Sequence, residues 1–586
     1  MNRFFSLGLI FVSFTLLIGA ACSSRASATA FPSSPSPSAV SSPTLSATAT
    51  QPATSTPQPT ISAPESTIQS PQAFYDIGDP TLTDLWIDPV NGDDGNNGAS
   101  RAEALATLTE AYNRIPMGTP LATGYRILLV AGIYAEDIVP HYWESRYGSY
   151  QFPVILESAD GAGAAVLPVL NIYDVKYMYL IGIRVSGISN NVLHCEQCTY
   201  FLLRQVTIVG ADPETYLVQE TLKMNQSQYV YVEESDISGA WNPALDFVSV
   251  QYGHILNNRV HNAGDWCMYL KGGSAYFRIE GNEFYGCGTG GFTAGQGTGF
   301  EFMVSPWLHY ETYDIKFVNN VLHDIDGACL GVNGSYNILF AFNTCYRVGA
   351  RSHVIEVAFG ARSCDGDAAQ CAARQNEGGW GPSTIGGDGE PIPDRNVYIY
   401  NNVIYNPAGF QSQWQHFVVY GPRTPTPGTN IHSPATTDFN LQIRGNLIWN
   451  GPADHPLGVG DESSGCQNDN PTCNVAQLLA ENTINQFEPQ LIDPANGNFR
   501  PLEGGNLFGV LTFTLPDFNW DDAPTPPAIP MGDLSNAVVV DRDGQPRSTP
   551  GVPGAYGGAP AAMLFLPSVM STGYFHPIEI GQIIQA

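Results

Sequence analysis

Two of the four lysines in this 586-residue chain flank a carboxylate in a recurring context. Lys223, Asp246 and Lys271 each directly follow a leucine. If those leucines point into a core of strands, strand alternation sends the three polar side chains outward as one column. A lysine beside charged partners can remove a proton, and carboxylates can hold calcium. The column predicts β-elimination from an acidic sugar polymer, with Lys271 as the base.

β-Elimination also requires that the carboxylate of the sugar be neutralised. Calcium held by Asp246 and Asp265 is predicted to do this, and Lys223 or Arg278 could assist. The column continues through Thr293, Gly331 and Glu356. The alternative is a solvated face on which the lysines and Asp246 only offset one another's charges.

Insertions at about 300–311, 361–395 and 410–438 bring further side chains to this region. These insertions and their neighbouring coils carry Trp307, His309, Tyr310, Glu311, His353, Trp380, Trp414 and His416. Aromatic rings cover the flat CH faces of sugars, so the predicted substrate-binding residues are Trp307, His309, Tyr310, His353 and Glu356. Three alternatives stay open: aromatic anchors for the loops, a glycosidase using Glu311 and Glu356 with Asp246, and metal binding by His309 and His353.

Short β-rich phrases recur through the middle of the chain at intervals that are often close to 23 residues. The first residue of the phrase is Asn in six coils, at Asn258, Asn282, Asn320, Asn343, Asn402 and Asn446. Such a period without helical periodicity predicts stacked strands, and the spacing of leucine-rich repeats is missing. Asn tolerates a left-handed bend, and stacked amides can hydrogen-bond along the column. The glycine-rich stretch 286–299 could let a ligand or another chain segment approach the backbone.

The two ends of this region resemble a known family. Trp86-Ile87-Asp88-Pro89 with the following Asn/Gly/Asp run, and Pro489-Gln490-Leu491-Ile492-Asp493 near the far end, resemble pectate-lyase-like proteins. This resemblance implies an all-β, right-handed parallel β-helix with an N-terminal capping helix at about 102–114. The fold hosts many activities, so it does not by itself define one.

Within that fold, Lys271, Asn282 and Cys287 are loosely similar in layout to the chondroitinase B and alginate lyase family. The resemblance implies a polysaccharide lyase with a catalytic Lys271. Thr293-Ala294 stand where that family has an Arg-His pair. This departure favours the alternatives, which are a non-catalytic glycan-binding or structural surface protein and a glycoside hydrolase.

The N-terminus predicts export. Arg3 precedes an apolar run that ends at Gly19-Ala20-Ala21-Cys22, which resembles a lipoprotein signal, whereas a membrane-spanning helix is the alternative. We expect a signal peptide at 1–21, lipidation at Cys22, a Ser/Thr/Pro/Ala-rich stalk at 22–72, the β-helix at 73–560 and a tail at 561–586. The net charge of −30 argues against a nucleic-acid partner. A polysaccharide partner, a monomer and membrane contact only through the lipid are expected.

The remaining cysteines agree with an oxidising compartment, because their number is even. They are Cys195, Cys198, Cys267, Cys287, Cys329, Cys345, Cys364, Cys371, Cys466 and Cys473. Sequence neighbours predict the pairs 364–371 and 466–473, with 267–287 and 329–345 joining adjacent coils. A zinc site is the alternative for Cys195 and Cys198.

Overall fold

The computed structural model describes residues 73–386, 389–521, 534–547 and 551–557 of the protein. All of them belong to a unit that spans residues 68–586. The predicted signal segment, Cys22, the stalk and the tail from residue 561 lie outside the described residues. In the described part, no helix is long and apolar enough to cross a membrane.

Three long parallel sheets are formed by successive coils of the chain. Sheet A contains Leu82–Ile87, Gly124–Leu129, Val154–Ser158, Lys176–Ile181, Thr199–Arg204, Gln228–Glu233, Gln251–Leu256, Ser274–Glu280, Thr312–Val318, Ser335–Ala341, Arg395–Tyr400 and Gln442–Arg444. Sheet B contains Gly132–Ile133, Ala165–Leu167, Arg184–Ser186, Thr207–Val209, Asp236–Ala240, Arg259–Ala263, Glu283–Cys287, Val321–Ile325, Thr344–Val348, Val403–Asn406, Leu447–Asn450 and Thr483–Ile484. Sheet C contains Trp143–Glu144, Leu170–Tyr173, Asn191–Glu196, Glu220–Asn225, Leu245–Val248, Trp266–Lys271, Gly290–Gly295, Ala328–Asn333, Ile355–Ala358 and Phe417–Val419.

Each coil passes from sheet A through sheet B to sheet C and then returns to sheet A, one strand further along. Every strand therefore pairs in parallel with the equivalent strands of the preceding and following coils, which satisfies the backbone groups of the interior coils. This architecture is a right-handed parallel β-helix, and the predicted fold class is confirmed.

The core lies between the three sheets and is filled by alternate residues of each strand. In Gln228–Glu233, Val230 and Val232 are fully buried whereas Tyr229 and Tyr231 are half-buried on the outside. Burying a side chain of this size contributes about 1.5–3 kcal/mol, and the coils repeat that contribution along the axis. Aromatic pairs such as Phe292 and Phe317, stacked with centroids 4.4 Å apart, widen the core in its middle coils.

The asparagine column lies at the start of sheet B and is continuous. Each Asn side chain accepts hydrogen bonds from the backbone N–H and the amide of the Asn one coil before, as Asn320 does from Asn282 at 2.9 and 3.0 Å. The ladder has one more member than the sequence predicts, because Asn482 receives the same bonds from Asn446. The left-handed bend belongs to the preceding residue, for example Asn319 with φ 56°. The ladder residue itself keeps its amide aimed along the column.

The ends and insertions carry the remaining elements. The predicted capping helix is shorter than expected: a 3₁₀ turn at Arg101–Glu103 precedes the helix Leu108–Asn113, which Thr107 caps through the N–H of Glu110. Other helices span Ala368–Asn376 and Val475–Glu481. The remaining strands are Gly297–Gly299, Gly360–Ser363, Glu390–Ile392, Leu491–Asp493 and Asn498–Pro501. The remaining 3₁₀ turns are Glu136–Ile138, Pro213–Thr215, Phe300–Phe302, Pro494–Asn496 and Asn506–Gly509.

Five disulfide bonds join the ten cysteines. The pairs are Cys195–Cys198, Cys267–Cys287, Cys329–Cys345, Cys364–Cys371 and Cys466–Cys473. The four pairs predicted from sequence proximity are present. The bond between Cys195 and Cys198 removes both thiolates as zinc ligands, so the zinc alternative is wrong.

Candidate functional site

Two columns of side chains run along the outer face of sheet C. The strand pairing places Asn171, His194, Lys223, Asp246 and Tyr269 in one column. The neighbouring column, two residues further along each strand, contains Glu144, Tyr173, Glu196, Asn225, Val248 and Lys271. Because side chains alternate across a strand, both columns face outward.

The expected single column of Lys223, Asp246 and Lys271 is wrong in register. Tyr269, rather than Lys271, pairs with Asp246, whereas Lys271 pairs with Val248. Leu270 still points into the core, but it is level with Phe247 and not with Leu245. A shift of two residues keeps the same face, so Lys271 remains outward and lies one pleat closer to the turn.

The two lysines nevertheless meet at the same carboxylate. Lys223 Nζ donates a short hydrogen bond to Asp246 Oδ2, and it lies 3.6 Å from Glu220 Oε1. Lys271 Nζ lies 4.0 Å from the same Asp246 oxygen and donates to Gln296 Oε1 at 3.2 Å. The Lys271 ammonium also sits 4.5 Å from the ring centroid of Tyr269, so the ring stabilises it by a cation–π contact.

Burial and neighbouring charges shift the pKa values of Lys223 and of two nearby acids. We call Lys223, Lys271, Asp246 and Glu220 the lysine cluster. Burial lowers the pKa of Lys223, but the charges of Asp246 and Glu220 outweigh burial and raise the pKa above the ordinary lysine value. Burial raises the pKa of Glu220 and that of Asp265, which weakens their negative charge at a given pH. Asp246 is fully buried, and its Oδ1 has no hydrogen-bond partner among the described residues.

The lysine cluster opens into a cavity of about 400 Å³ on sheet C. Its floor is formed by sheet C and its wall by the segment 297–302 together with Asp365. The lining residues are Glu196, Lys223, Asn225, Gln226, Val248, Lys271, Gly297, Thr298, Gly299, Phe302 and Asp365. A cavity of this size admits one or two sugar residues of a chain.

A lobe made from the first two insertions forms the wall of the cavity. Gly297–Gly299 pairs in parallel with Gly360–Ser363, which pairs antiparallel with Glu390–Ile392. Glu311 and Arg362 are both fully buried, and Nε and one Nη of Arg362 donate to Oε1 of Glu311, which ties the two insertions together. Glu311 also accepts from the N–H of Gly272 at 2.8 Å, which links the lobe to the strand that carries Lys271.

The structure excludes the glycosidase alternative for Asp246, Glu311 and Glu356. Glu311 is committed to Arg362 in the interior. Asp246 and Glu356 are four coils apart on one column, about 19 Å at ~4.8 Å per strand. A glycosidase pair needs a separation of roughly 5–10 Å, so these three residues do not form one.

The glycine-rich coil makes room for other parts of the chain. A Cβ at Gly290 would lie 2.3 Å from the indole of Trp266, and one at Gly331 would lie 2.6 Å from it. Trp266 is 5 % exposed and therefore covers the outer face of sheet C beyond Tyr269. The indole of Trp266 therefore fills the space beside these glycines, and the approach of a ligand or of another chain stays a prediction.

The predicted aromatic wall residues lie inside the lobe. Trp307 packs on Tyr276 and Tyr252, and Tyr310 packs on Tyr336 and Trp380. His309 contacts the edge of Trp380; burial and then the charge of Arg362 lower the pKa of His309 to about 4. These contacts match the loop-anchor alternative for Trp307, His309 and Tyr310. Trp307 and Tyr310 are buried, and His309 is only partly exposed.

His353 and Glu356 form a separate cluster near the far end of sheet C. His353 Nδ1 lies 3.8 Å from Glu356 Oε1, and Nε2 lies 3.1 Å from Gln415 Oε1. The ring packs against Trp414 with centroids 5.2 Å apart. Glu356 is three coils from Tyr269, so this cluster does not join the lysine cavity.

Arg278 lies on the outer face of sheet A, level with His254 and Lys316. Its Nε donates to Glu280 Oε2 at 2.6 Å. The structure thus places Arg278 on a different face from Lys223 and Lys271, and it does not reach their cavity.

The arrangement of donors does not fit a calcium ion between Asp246 and Asp265. Both lysine ammonium groups contact Oδ2 of Asp246, and these two cations would repel a calcium ion bound at the same carboxylate. Among the described residues, one cluster of three His, Cys, Asp or Glu donors is close enough to share an ion, namely Glu301 with Cys364 and Cys371. Those two cysteines form a disulfide bond, so that cluster is no metal site either.

Several residues that line the cavity or contact its lysines could not be selected from the sequence. Glu220, Gln296 and Asp365 come from a strand start, a turn and an insertion, and they share no spacing with the lysines. Tyr269 does share it, because it stands one coil from Asp246. Asn225 and Glu196 lie in the column of Lys271, two and three coils from it.

No protein-family model and no curated protein matches this chain. Solved structures with a similar course of the chain include a rhamnogalacturonan lyase, with 11 % identity over 62 % of this chain and 87 % of that chain and a TM-score of 0.35. A pectate lyase is 14 % identical over 68 % of this chain and 82 % of that chain, with a TM-score of 0.29. An alginate lyase from Paenibacillus is 11 % identical over 45 % and 93 %, with a TM-score of 0.27.

The architecture defines the class: the chain is a right-handed parallel β-helix protein. The three parallel sheets agree with the β-helix that the resemblance to pectate-lyase-like proteins implies. At these identities the likeness concerns the fold alone, and activity has to be argued from the cavity.

Proposed function

We propose that this protein is an exported, carbohydrate-active β-helix protein that cleaves a uronic-acid-containing polysaccharide by β-elimination in the cavity on sheet C. The observation that carries the proposal is the pair Lys223 and Lys271 around the buried Asp246 at the floor of that cavity. Five disulfides support an oxidising compartment. Lipidation at Cys22 would hold the protein at the cell surface. The proposed oligomeric state is a monomer.

Lys223 is assigned to neutralise the sugar carboxylate. Its raised pKa keeps it protonated, and its ammonium is fixed by Asp246 and Glu220. A fixed cation beside the uronate makes the proton on the adjacent carbon more acidic, which lowers the barrier to its removal. No step of this mechanism requires a metal ion.

Lys271 is assigned as the base. It is held less tightly than Lys223, since its nearest carboxylate oxygen is 4.0 Å away and its hydrogen bonds go to neutral groups. Its neutral amine would take the proton from C5 of the uronate. The electron pair then forms the C4=C5 double bond, the C4–O bond breaks, and the leaving oxygen takes a proton from water.

Cleavage is tested with the purified, oxidised mature chain, with and without calcium. Pectate, alginate and glycosaminoglycans are incubated with the protein, and the ultraviolet absorbance of unsaturated uronate ends is followed. Lys271→Ala should abolish the rise in absorbance and leave the circular dichroism spectrum unchanged. Lys176→Ala, on the exposed outer edge of sheet A, is the matched control. Retained activity in Lys271→Ala would sink the assignment of the base.

A non-catalytic glycan-binding protein is the second candidate. The closed ion cluster of Lys223, Asp246 and Glu220, and Thr293-Ala294 in place of an Arg-His pair, favour it. Binding of a polysaccharide without new absorbance and without new reducing ends would select this candidate. New reducing ends without absorbance would instead indicate a hydrolase.

A further inference from the structure

We propose that the lysine cavity is one end of a longer glycan groove, and that the groove selects a heteropolymer in which a uronate is flanked by uncharged sugars. The inference deepens the proposed function and rests on it in one respect, because the lysine cluster is taken as the place of the uronate.

The groove follows the outer face of sheet C toward the N-terminal coils. A second cavity of about 260 Å³ shares Glu196 with the lysine cavity and is also lined by Tyr142, Glu144, Asn171, Ile172, Tyr173 and His194. A third, of about 280 Å³, shares Asn171 with the second. From Glu144 to Lys271 the column spans five coil intervals, about 24 Å at ~4.8 Å each, which accommodates several sugar residues.

The opposite end of the groove is closed. Beyond the lysines, Tyr269 is 3 % exposed and Thr293 is fully buried. The indole of Trp266 covers the glycines there, and the lobe stands beside it. A bound chain therefore extends from the lysine cavity in one direction, over Glu196 and Tyr173.

The charges along this path are the selective feature. The lysines that line the cavities are Lys223 and Lys271 at the closed end, where Asp365 also belongs to the lining. The rest of the path carries Glu196, Glu144 and Glu136, and no described residue forms an ion pair with any of the three. Burial and then the charge of Lys223 lower the pKa of His194, so its imidazole is neutral at pH 7.

A second uronate in the chain would lie among these carboxylates. The separation of neighbouring subsites is shorter than the ~8 Å Debye length at physiological salt, so screening would not remove the repulsion. A polymer that consists only of uronates is therefore disfavoured. A sugar without charge meets no such penalty.

Exposed aromatic side chains supply the complementary attraction. Tyr173 is 40 % exposed and lies in the column between Glu144 and Glu196, and Tyr142 is 59 % exposed at the edge of the same cavity. Their rings are free to cover the apolar CH face of an uncharged sugar. The carboxylates beside them can accept hydrogen bonds from its hydroxyls.

The test measures binding separately from cleavage. The oxidised mature protein is titrated calorimetrically with size-matched oligosaccharides: oligogalacturonate, and chains of galacturonate alternating with rhamnose or of glucuronate alternating with N-acetylglucosamine. At least one alternating chain should bind at least tenfold more tightly than oligogalacturonate. Tyr173→Ala should weaken that binding at least tenfold, and Glu196→Gln should tighten the binding of oligogalacturonate.

Matched controls lie on other parts of the body. Tyr285→Ala changes a half-buried tyrosine on sheet B, and Glu234→Gln changes an exposed carboxylate at the turn between sheets A and B. Both should leave the affinities unchanged. Equal or tighter binding of oligogalacturonate, or no binding of any of the three, would overturn the inference.

The two proposals fail in different ways. Binding that depends on Tyr173 and Glu196 without any cleavage would refute the lyase and support the groove. Cleavage with affinities that ignore both substitutions would support the lyase and refute the groove.

Discussion

Lys223 and Lys271 share one cavity but differ in their partners. Asp246 and Glu220 hold Lys223 as a cation, whereas Lys271 contacts a neutral amide and a phenol. Burial also raises the pKa of Tyr269, which keeps that phenol protonated. The division of labour between charge neutralisation and proton removal follows from these contacts.

The rate of cleavage should rise as the pH is raised through the alkaline range. A lysine base acts only when it is neutral, and a higher pH increases the fraction of neutral amine. Burial lowers the pKa of Lys223, but Asp246 and Glu220 raise it more, so Lys223 stays charged above the pH at which an ordinary lysine is neutral. Initial rates at constant ionic strength measure this profile.

Lys223→Gln tests the assignment of charge neutralisation to Lys223 and of proton removal to Lys271. Without the Lys223 charge the rate should fall about 100-fold across the pH profile, because the sugar carboxylate loses its fixed cation. An optimum at acidic pH, or unchanged rates in Lys223→Gln, would contradict the assignment.

At this scale the sequence predicted the right residues for a reason that was partly wrong. The Leu-polar pattern identified Lys223, Asp246 and Lys271 as outward-facing, since alternation depends only on parity. It could not fix the register, because Met268-Tyr269 satisfies the pattern as well as Leu270-Lys271 does. Trp266 at the head of the strand, and the glycines that accommodate it, accompany the shift.

At the level of elements, the asparagine ladder holds the coils in register along the start of sheet B. Asn320 makes four hydrogen bonds through its side chain, to the N–H and amide of Asn282, the carbonyl of Ile279 and the amide oxygen of Asn343. Asn320→Ala would leave buried partners of these bonds unsatisfied. We expect the free energy of unfolding to fall by roughly 3 kcal/mol.

Chemical denaturation followed by circular dichroism measures that loss. Asn496→Ala is the matched control, because Asn496 is exposed and bonds only to its neighbour Asp493. Equal stability of the two variants would show that the ladder contributes little.

The lobe depends on the ion pair between Glu311 and Arg362. Neither side chain is exposed, so Glu311→Gln leaves a buried guanidinium without its counter-charge. Loss of one partner of such a pair costs about 3–5 kcal/mol. We expect faster proteolysis within residues 361–386 and a weakened wall of the lysine cavity, measured by limited proteolysis and by glycan affinity.

Glu377→Gln provides the comparison for the lobe. Glu377 pairs with Arg374 at 3.1 Å on the surface of the helix Ala368–Asn376, where an ion pair contributes less than about 1 kcal/mol. Proteolysis at the same rate in Glu377→Gln and Glu311→Gln would exclude the buried pair as the anchor.

Elements that repeat were predictable, and elements that occur once were not. The phrase that begins with Asn predicted the strands of sheet B from Asn258 onward. A tyrosine stack at the turn into sheet A follows the same intervals, so the same spacing could have predicted it. Its members are Tyr177, Tyr200, Tyr229, Tyr252 and Tyr276. The lobe has no repeat, so the pairing of Gly297–Gly299 with Gly360–Ser363 could not be inferred from spacing.

For the whole molecule, net charge affects which polysaccharides can approach it. The chain carries a net charge of −30, and the two lysines of its cavity lie among carboxylates. Such a field repels polyanions at a distance, so a substrate with few uronates approaches more readily than a dense polyuronate. Charge at the scale of the molecule therefore acts in the same direction as the carboxylates along the groove.

The same self-repulsion predicts that salt stabilises the folded body at neutral pH. Raising sodium chloride from about 0.01 M to about 0.5 M shortens the Debye length from ~30 Å to below ~8 Å, which screens like charges on the surface. The midpoint of thermal unfolding should rise by several degrees in scanning calorimetry at pH 7. At pH 4.5, close to the isoelectric point of the sequence, the net charge is near zero and the rise should largely vanish. A rise of the same size at both pH values would instead assign the effect to salting-out of apolar surface.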